Sequence, residues 1–168
     1  IVDTYGPQAL DEAWWEFQLF PEEPDDFELE HPQIPLFMPW FFHLWAPDPN
    51  GTGIEDPTLH DRPATRTLLE RQNQRVDPTL RRYLERCVAS PLSFHEVTAV
   101  IPGRSFEARD VLTGEPKQVQ ERSASKTLRV GDLLFAQLVS IDGLTILEAA
   151  PPFSLPPIEK LAVIELRK

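Results

Sequence analysis

Several things are scarce in this chain of 168 residues, and each scarcity excludes something. Cys87 is the single cysteine, so an intrachain disulfide and a zinc site built from several thiolates are both excluded. A reducing, cytoplasmic setting is the expectation that follows. Met38 is the single methionine, and the chain is read as a piece of a longer protein. Residues 1–61 contain no lysine or arginine but fourteen aspartates and glutamates; the other thirteen acids and all sixteen bases follow in 62–168. An acidic first part repels nucleic acid and anionic lipid. Long apolar runs are missing too. The longest, 34–46, is broken by Pro39 and His43 and falls short of the roughly 20 residues a bilayer span needs. No Lys/Arg-flanked apolar stretch opens the chain, so no signal peptide is read. Glycine is sparse at 7 residues while proline reaches 18, which predicts short elements and stiff connections, because proline fixes φ and stops helices.

What is present sorts by period. In "PLFMPWFFHLWAPDPN", Phe37, Trp40, Phe41 and Leu44 recur at i, i+3, i+4 and i+7, while Met38, Phe42 and Trp45 make the other sides apolar. This predicts a buried core helix with Pro39 in its first turn, ending by Pro47 in the turn-rich "APDPNGTG". An aromatic ligand pocket is the alternative reading of the same residues. "PQALDEAWWEFQLF" predicts a helix with Leu10, Ala13, Trp14 and Phe17 inward, and "PEEPDDFELEHPQ" a loop. "RPATRTLLERQNQ" predicts a short helix. In "DPTLRRYLERCVAS", Asp77 is a good N-cap, Pro78 suits the first helical position, and Leu80, Tyr83, Leu84, Cys87 and Val88 form one stripe. Cys87 then reads as a small buried hydrophobe.

At Pro91 the period changes to two. "SFHEVTAVI" offers Val97, Ala99 and Ile101 on one face; "RSFEARDVL" offers Phe106, Ala108 and the polar Asp110. "TGE" signals a hairpin at Gly114, followed by "PKQVQER". "GDLLFAQLVS" is apolar on both faces and should be covered. "IDGL" is a two-residue turn through Asp142 and Gly143, and "LTILEA" a fifth strand. The tail "IEKLAVIELRK" reads as a helix or a final strand. Helix is favoured, with Ile158, Leu161, Ala162 and Leu166 as its face.

The fold class expected is therefore α+β: N-terminal helices packed on a small five-stranded antiparallel β-sheet or barrel, with a C-terminal helix. The divisions are an acidic, aromatic-rich helical part at 1–91, the sheet or barrel at 92–150, and a linker and helix at 151–168, sharing one core.

Two segments carry a family resemblance. "MPWFFHLWAPDP" is similar to a "WFLFDW"-like stretch of uncharacterised bacterial proteins. "SFHEVTAVIPGRSFEARDVLTGEPKQVQERSASKTLRVGDLLFAQLV" resembles the segment that follows it there. These are the SEC-C motif-containing proteins, and the resemblance covers roughly residues 34 to 150. Their "CPCGSG…KCC" zinc motif is absent from these residues, so no metal ligand is carried over. The resemblance implies a cytoplasmic bacterial accessory module.

No residue is assigned to catalysis, to a metal or to a cofactor. His31, His43, His60 and His95 lack the spacing of metal-binding helices. His43, with Asp48, would at most form a polar spot in an apolar pocket. Glu22, Glu23, Asp25 and Asp26 lack the alternation and glycine of a calcium loop. No G-x-S-x-G turn surrounds the serines of "ERSASKTLRVGD". As an anion site that segment is better supplied: Arg122, Ser123, Ser125, Lys126 and Arg129 could hold a phosphate together with loop amides. The plainer reading is a loop whose hydroxyls cap its own backbone. The expected function is a non-enzymatic binding or scaffold module acting through protein contacts. The alternative is a weak RNA- or phosphate-binding module using the loop at 121–130; an enzyme ranks third.

Overall fold

The computed structural model describes residues 5, 6, 8–19, 22, 26–49, 54, 56–71 and 76–165. Chain contacts divide it into two compact units, Ile1–Ala89 and Ser90–Lys168. Among the described residues there are five α-helices and five strands: helices α1 (Gln8–Phe17), α2 (Ile34–His43), α3 (Ala64–Glu70) and α4 (Pro78–Ala89), strands β1 (Leu92–Ile101), β2 (Ser105–Asp110), β3 (Pro116–Val119), β4 (Leu133–Ile141) and β5 (Leu144–Ala149), then helix α5 (Lys160–Glu165). The fold class is α+β. No helix among the described residues is long and apolar enough to cross a membrane.

The first unit is built around aromatic rings. Phe37 is fully buried, with Trp14 at 4.8 Å, Phe17 at 5.2 Å, Phe27 and Phe41 at 5.7 Å and Trp40 at 6.0 Å between ring centroids. Tyr5, Ala9, Ala13, Trp45, Ile54 and Leu59 complete the buried cluster. The aromatic stretch is thus part of a buried core. Helix α2 differs from expectation in its details. Pro35 occupies its first turn, and Pro39 lies inside the helix, where the missing N–H removes one ladder bond. Leu44 N and Trp45 N both donate to the Trp40 carbonyl (2.9 and 2.8 Å), so the helix closes at His43, before Pro47 is reached. Residues 50–53 of the exit loop and 72–74 of the third helical segment lie outside the described residues, as do Glu23 and Asp25 of the acidic loop.

Helix α4 starts as its sequence dictates. Asp77 Oδ1 accepts from Thr79 N at 2.8 Å and from Leu80 N at 3.2 Å, satisfying two of the amides that a helix start leaves open. Asp77→Ala is expected to cost about 1 kcal/mol of the first unit's stability. Urea unfolding followed by tryptophan fluorescence measures it, because all four tryptophans lie in that unit. Cys87 is buried in this helix.

The second unit is a closed barrel with strand order β1-β2-β3-β5-β4, closed by β4 on β1. The expectation of a purely antiparallel sheet is corrected here. Strands β3 and β5 run parallel and share a single pair, Val119↔Thr145, so the sheet is mixed. The cause is topological: β4 and β5 form their own hairpin, which leaves β5 to meet β3 in the same direction. Inward side chains include Val97, Phe106, Ala108, Val119, Leu134, Ala136 and Leu138. A bulge between Val97 and Ala99 shifts the phase of β1, so Ile101, expected inside, is 51% exposed. Strand β4 is buried on both faces: outside the barrel, Leu133 exchanges backbone bonds with Leu155 (2.9 and 2.8 Å). The β4–β5 turn needs positive φ at both central residues, and Asp142 (49°) and Gly143 (78°) supply it. Gly131 has φ 94°, and a Cβ there would stand 3.1 Å from Pro157 Cγ, so the tail packs directly on this backbone. Helix α5 buries Val163 rather than the expected face; Ile158 and Leu161 point outward, and Leu166 lies outside the described residues.

Candidate functional site

The basic segment after β3 folds as a loop around a short 3-10 turn, Ala124–Lys126. Glu121 Oε1 accepts from Ser123 N at 2.6 Å and from Ala124 N at 3.3 Å. Asp132 Oδ2 accepts from Arg129 N at 2.9 Å. These amides, which an anion would use, already bind the chain's own carboxylates. Ser125 is fully buried, and its hydroxyl donates to the Arg122 carbonyl at 2.9 Å. The structure therefore separates the candidate set. Arg122, Ser123, Lys126 and Arg129 are exposed, while Ser125 is a core residue that closes the turn. The stem of Lys126 lies over the β1–β2 turn, with its Cε 3.9 Å from where a Cβ on Gly103 would sit.

Beside this loop a groove of ≈ 390 Å³ opens at one mouth of the barrel. Its floor is Leu128, Leu134, Leu147 and Ala150, and Ser123, Thr127 and Ser154 give its wall hydroxyls. Phe153 stands at the edge, more than half exposed.

Sequence reasoning did not single out the polar cluster inside the barrel. Ser93 and His95 alternate with Val97 on the inward face of β1, and His95 is registered opposite Asp110 of β2. Asp110 is tied into the hairpin: Oδ1 accepts from Leu112 N and Thr113 N, both at 2.8 Å, and the Ser93 hydroxyl bonds to it as well. Burial pushes the Asp110 carboxyl up, but these hydrogen bonds outweigh it and hold the group below the usual carboxylate range. Lys117, registered with Ala108 on β3, reaches the Leu138 carbonyl of β4 at 3.4 Å, a strand with which it does not pair. His95 is 3% exposed, and neither ring nitrogen has a hydrogen-bond partner. Burial pushes its pKa down; Asp110 pulls it up, Lys117 pushes it down, and the Ala136 backbone and Glu115 pull it up. A serine–histidine–aspartate relay needs the histidine bonded to both partners. Here the serine bonds to the aspartate and the ring bonds to neither, so the cluster is not arranged for nucleophilic catalysis. The alternating pattern of β1 was a usable signal for His95, but only once its inward phase was known.

The other histidines have hydrogen-bond partners within the fold. His43 Nδ1 pairs with Thr65 Oγ1 at 2.8 Å, His60 Nε2 with the Ile54 carbonyl at 2.9 Å, and His31 Nδ1 accepts from Gln33 N at 3.2 Å. In the first unit Glu16 Oε2 accepts from Trp45 Nε1 at 2.7 Å. Burial, then repulsion from Glu16 and Asp48, raises the pKa of Glu12.

A further surface feature among the described residues is apolar. Ile158 is 80% exposed, Leu161 74%, and Ile164 more than a third. They form a slanting stripe along the tail from the 3-10 turn at Pro157–Glu159 into α5. Lys160 leaves this stripe to pair with Glu96 of β1 at 2.7 Å, which pins the tail to the barrel. In comparisons with known proteins, no family model, no curated protein and no solved structure matches the chain.

Proposed function

We propose that the chain is a non-enzymatic binding module that acts through protein contacts, with the tail stripe as its contact edge. The observation that carries this reading is the exposure of Ile158 and Leu161 on an element anchored through Val163, Leu155 and the Lys160–Glu96 pair. A tail that is fixed while its largest apolar side chains face water is suited to being covered by a partner. Burying each such side chain contributes about 1.5–3 kcal/mol. A place within a longer bacterial protein of the SEC-C class, working in the cytoplasm, belongs to the same proposal.

A photo-crosslinking amino acid at position 161, in the source cell, tests it. A discrete protein adduct is expected at 161, lost when Ile158→Glu is added, and none is expected at position 107 on the outward face of β2. Equal labelling at both positions, or none at either, overturns the reading.

One observation favours a second reading, as a weak RNA- or phosphate-binding module. The second unit is a closed five-stranded barrel, small five-stranded barrels of the OB type bind oligonucleotides, and Arg122, Lys126 and Arg129 are exposed on the loop after β3. Against it, the outward positions of β2 and β3 are Glu107, Arg109, Pro116 and Gln118, with no aromatic ring on which a base could stack. Fluorescence polarisation with single-stranded RNA separates the two. The protein-contact reading expects a flat signal at low salt. Salt-sensitive binding that is lost in the Arg122, Lys126 and Arg129 to Ala variant would reverse the order.

A further inference from the structure

The barrel interior holds a titratable group that its fold leaves unserved. His95 is buried with both ring nitrogens unpartnered, an arrangement that costs stability wherever it is kept. Directly across the β1–β2 ladder stands Asp110, whose Oδ1 holds the tip of the β2–β3 hairpin through Leu112 N and Thr113 N. The hairpin is also closed through Asp110's own backbone, with Gly114 N donating to its carbonyl at 2.8 Å and its N–H donating to the Glu115 carbonyl at 2.9 Å. One residue therefore anchors the turn and faces the only charge that could form beside it on β1.

We propose that this end of the barrel is an acid-operated latch, in which a proton taken up by His95 draws the Asp110 carboxylate away from the Leu112 and Thr113 amides and frees the hairpin tip. The groups that face His95 make the direction definite. Asp110 on β2, Glu115 in the turn and the Ala136 backbone of β4 favour the charged ring, Lys117 on β3 opposes it, and Leu134 of β4 is registered opposite His95. Ser93, on the same strand, is bonded to Asp110 and moves with it. An imidazolium enclosed by apolar side chains must find an anion, and Asp110 is the carboxylate registered opposite it.

The linkage has a definite sign. The folded pKa of His95 lies below its ordinary value of 6.5. Between that value and the folded pKa, the unfolded chain takes a proton that the folded chain refuses. Stability is therefore full above about pH 6.5 and falls as the pH drops through this window. Asp110, held below its ordinary 3.8, is still ionised there, so the proton arrives while the anion is available.

The test is an NMR titration of the whole chain from pH 8 to pH 4.5. It follows the His95 ring carbons, the Asp110 carboxyl carbon and the amide protons of Leu112 and Thr113, and is repeated for His95→Leu. The two amide protons are expected to move upfield, as donors losing their acceptor, with the same midpoint as the His95 ring and with no protonation of Asp110. In His95→Leu they stay still. Titration of His95 without movement of the amides overturns the latch. So does movement that persists in His95→Leu, or a ring that takes no proton before the barrel unfolds. If His95→Leu does not fold, the wild-type midpoints decide: coincidence of amides and ring supports the latch, and coincidence of amides with the Asp110 carboxyl overturns it.

Discussion

Phe37→Ala is expected to lower the stability of the helical unit by about 3–5 kcal/mol, the range for emptying a large aromatic site in a core. Phe37 is the hub of that core. Its ring is fully buried, and Trp14 and Phe41, which flank it, are themselves buried. Trp14 meets it edge-on at 84°, while Phe41 stacks at 17°. Ring pairs of this kind contribute about 0.5–1.5 kcal/mol beyond area burial, which places the substitution at the upper end of the range. Whole domains hold only about 5–15 kcal/mol, so the variant should unfold at much lower urea. Tryptophan fluorescence reads the loss, since Trp14 and Trp40 both lie against the substituted ring. Phe42→Ala, made only half-buried at the margin of the same cluster, should cost clearly less.

Phe106→Ala should have an effect of similar size, about 3–5 kcal/mol, on the barrel. Phe106 is 1% exposed and is registered between Val100 of β1 and Val119 of β3. Its removal leaves a cavity between strands whose backbones are held by ladder bonds and cannot close over it. Residues 90–168 contain neither tryptophan nor tyrosine, so this loss must be followed by methyl NMR signals such as those of Val119. Phe153→Ala is the control. That ring is 55% exposed, and a surface change of this kind usually stays within about 0.5 kcal/mol.

The features legible in the sequence were those fixed by neighbours in the chain. Asp77 and Pro78 start a helix because capping is local, and Asp142–Gly143 makes a turn because only a few residue types accept its φ values. The dense aromatic spacing of 37–45 identified a buried helix correctly. Features that depend on the register between distant segments were not legible. The bulge after Val97 reverses the phase of the rest of β1, and nothing in "HEVTAVI" announces it, so Ile101 ends outside; His95 lies before the bulge and keeps the inward phase of Val97. The parallel β3–β5 seam depends on where the β4–β5 hairpin docks. The tail was read as a helix or a final strand, with helix favoured; the helix forms, but it buries Val163 and not the face of Ile158 and Leu161, because the buried face is set by how the tail lies on the barrel. The basic loop was legible as charge, whereas the use of its amides by Glu121 and Asp132 required the folded turn.

The seam at Val119 and Thr145 also bears on how the barrel is made. The β1–β2, β2–β3 and β4–β5 hairpins join near neighbours and can form early. Closing the ring requires Leu92 to find Gln137 and Val119 to find Thr145, and the entropy of those long loops must be met before their contacts repay it. On the Val119 side the reward is one bridging pair and the Gln120 N to Thr145 O bond at 2.8 Å. The ring thus has one wall that is last to assemble and first to part, and brief openings of the native barrel will begin along that line while the three hairpins remain whole.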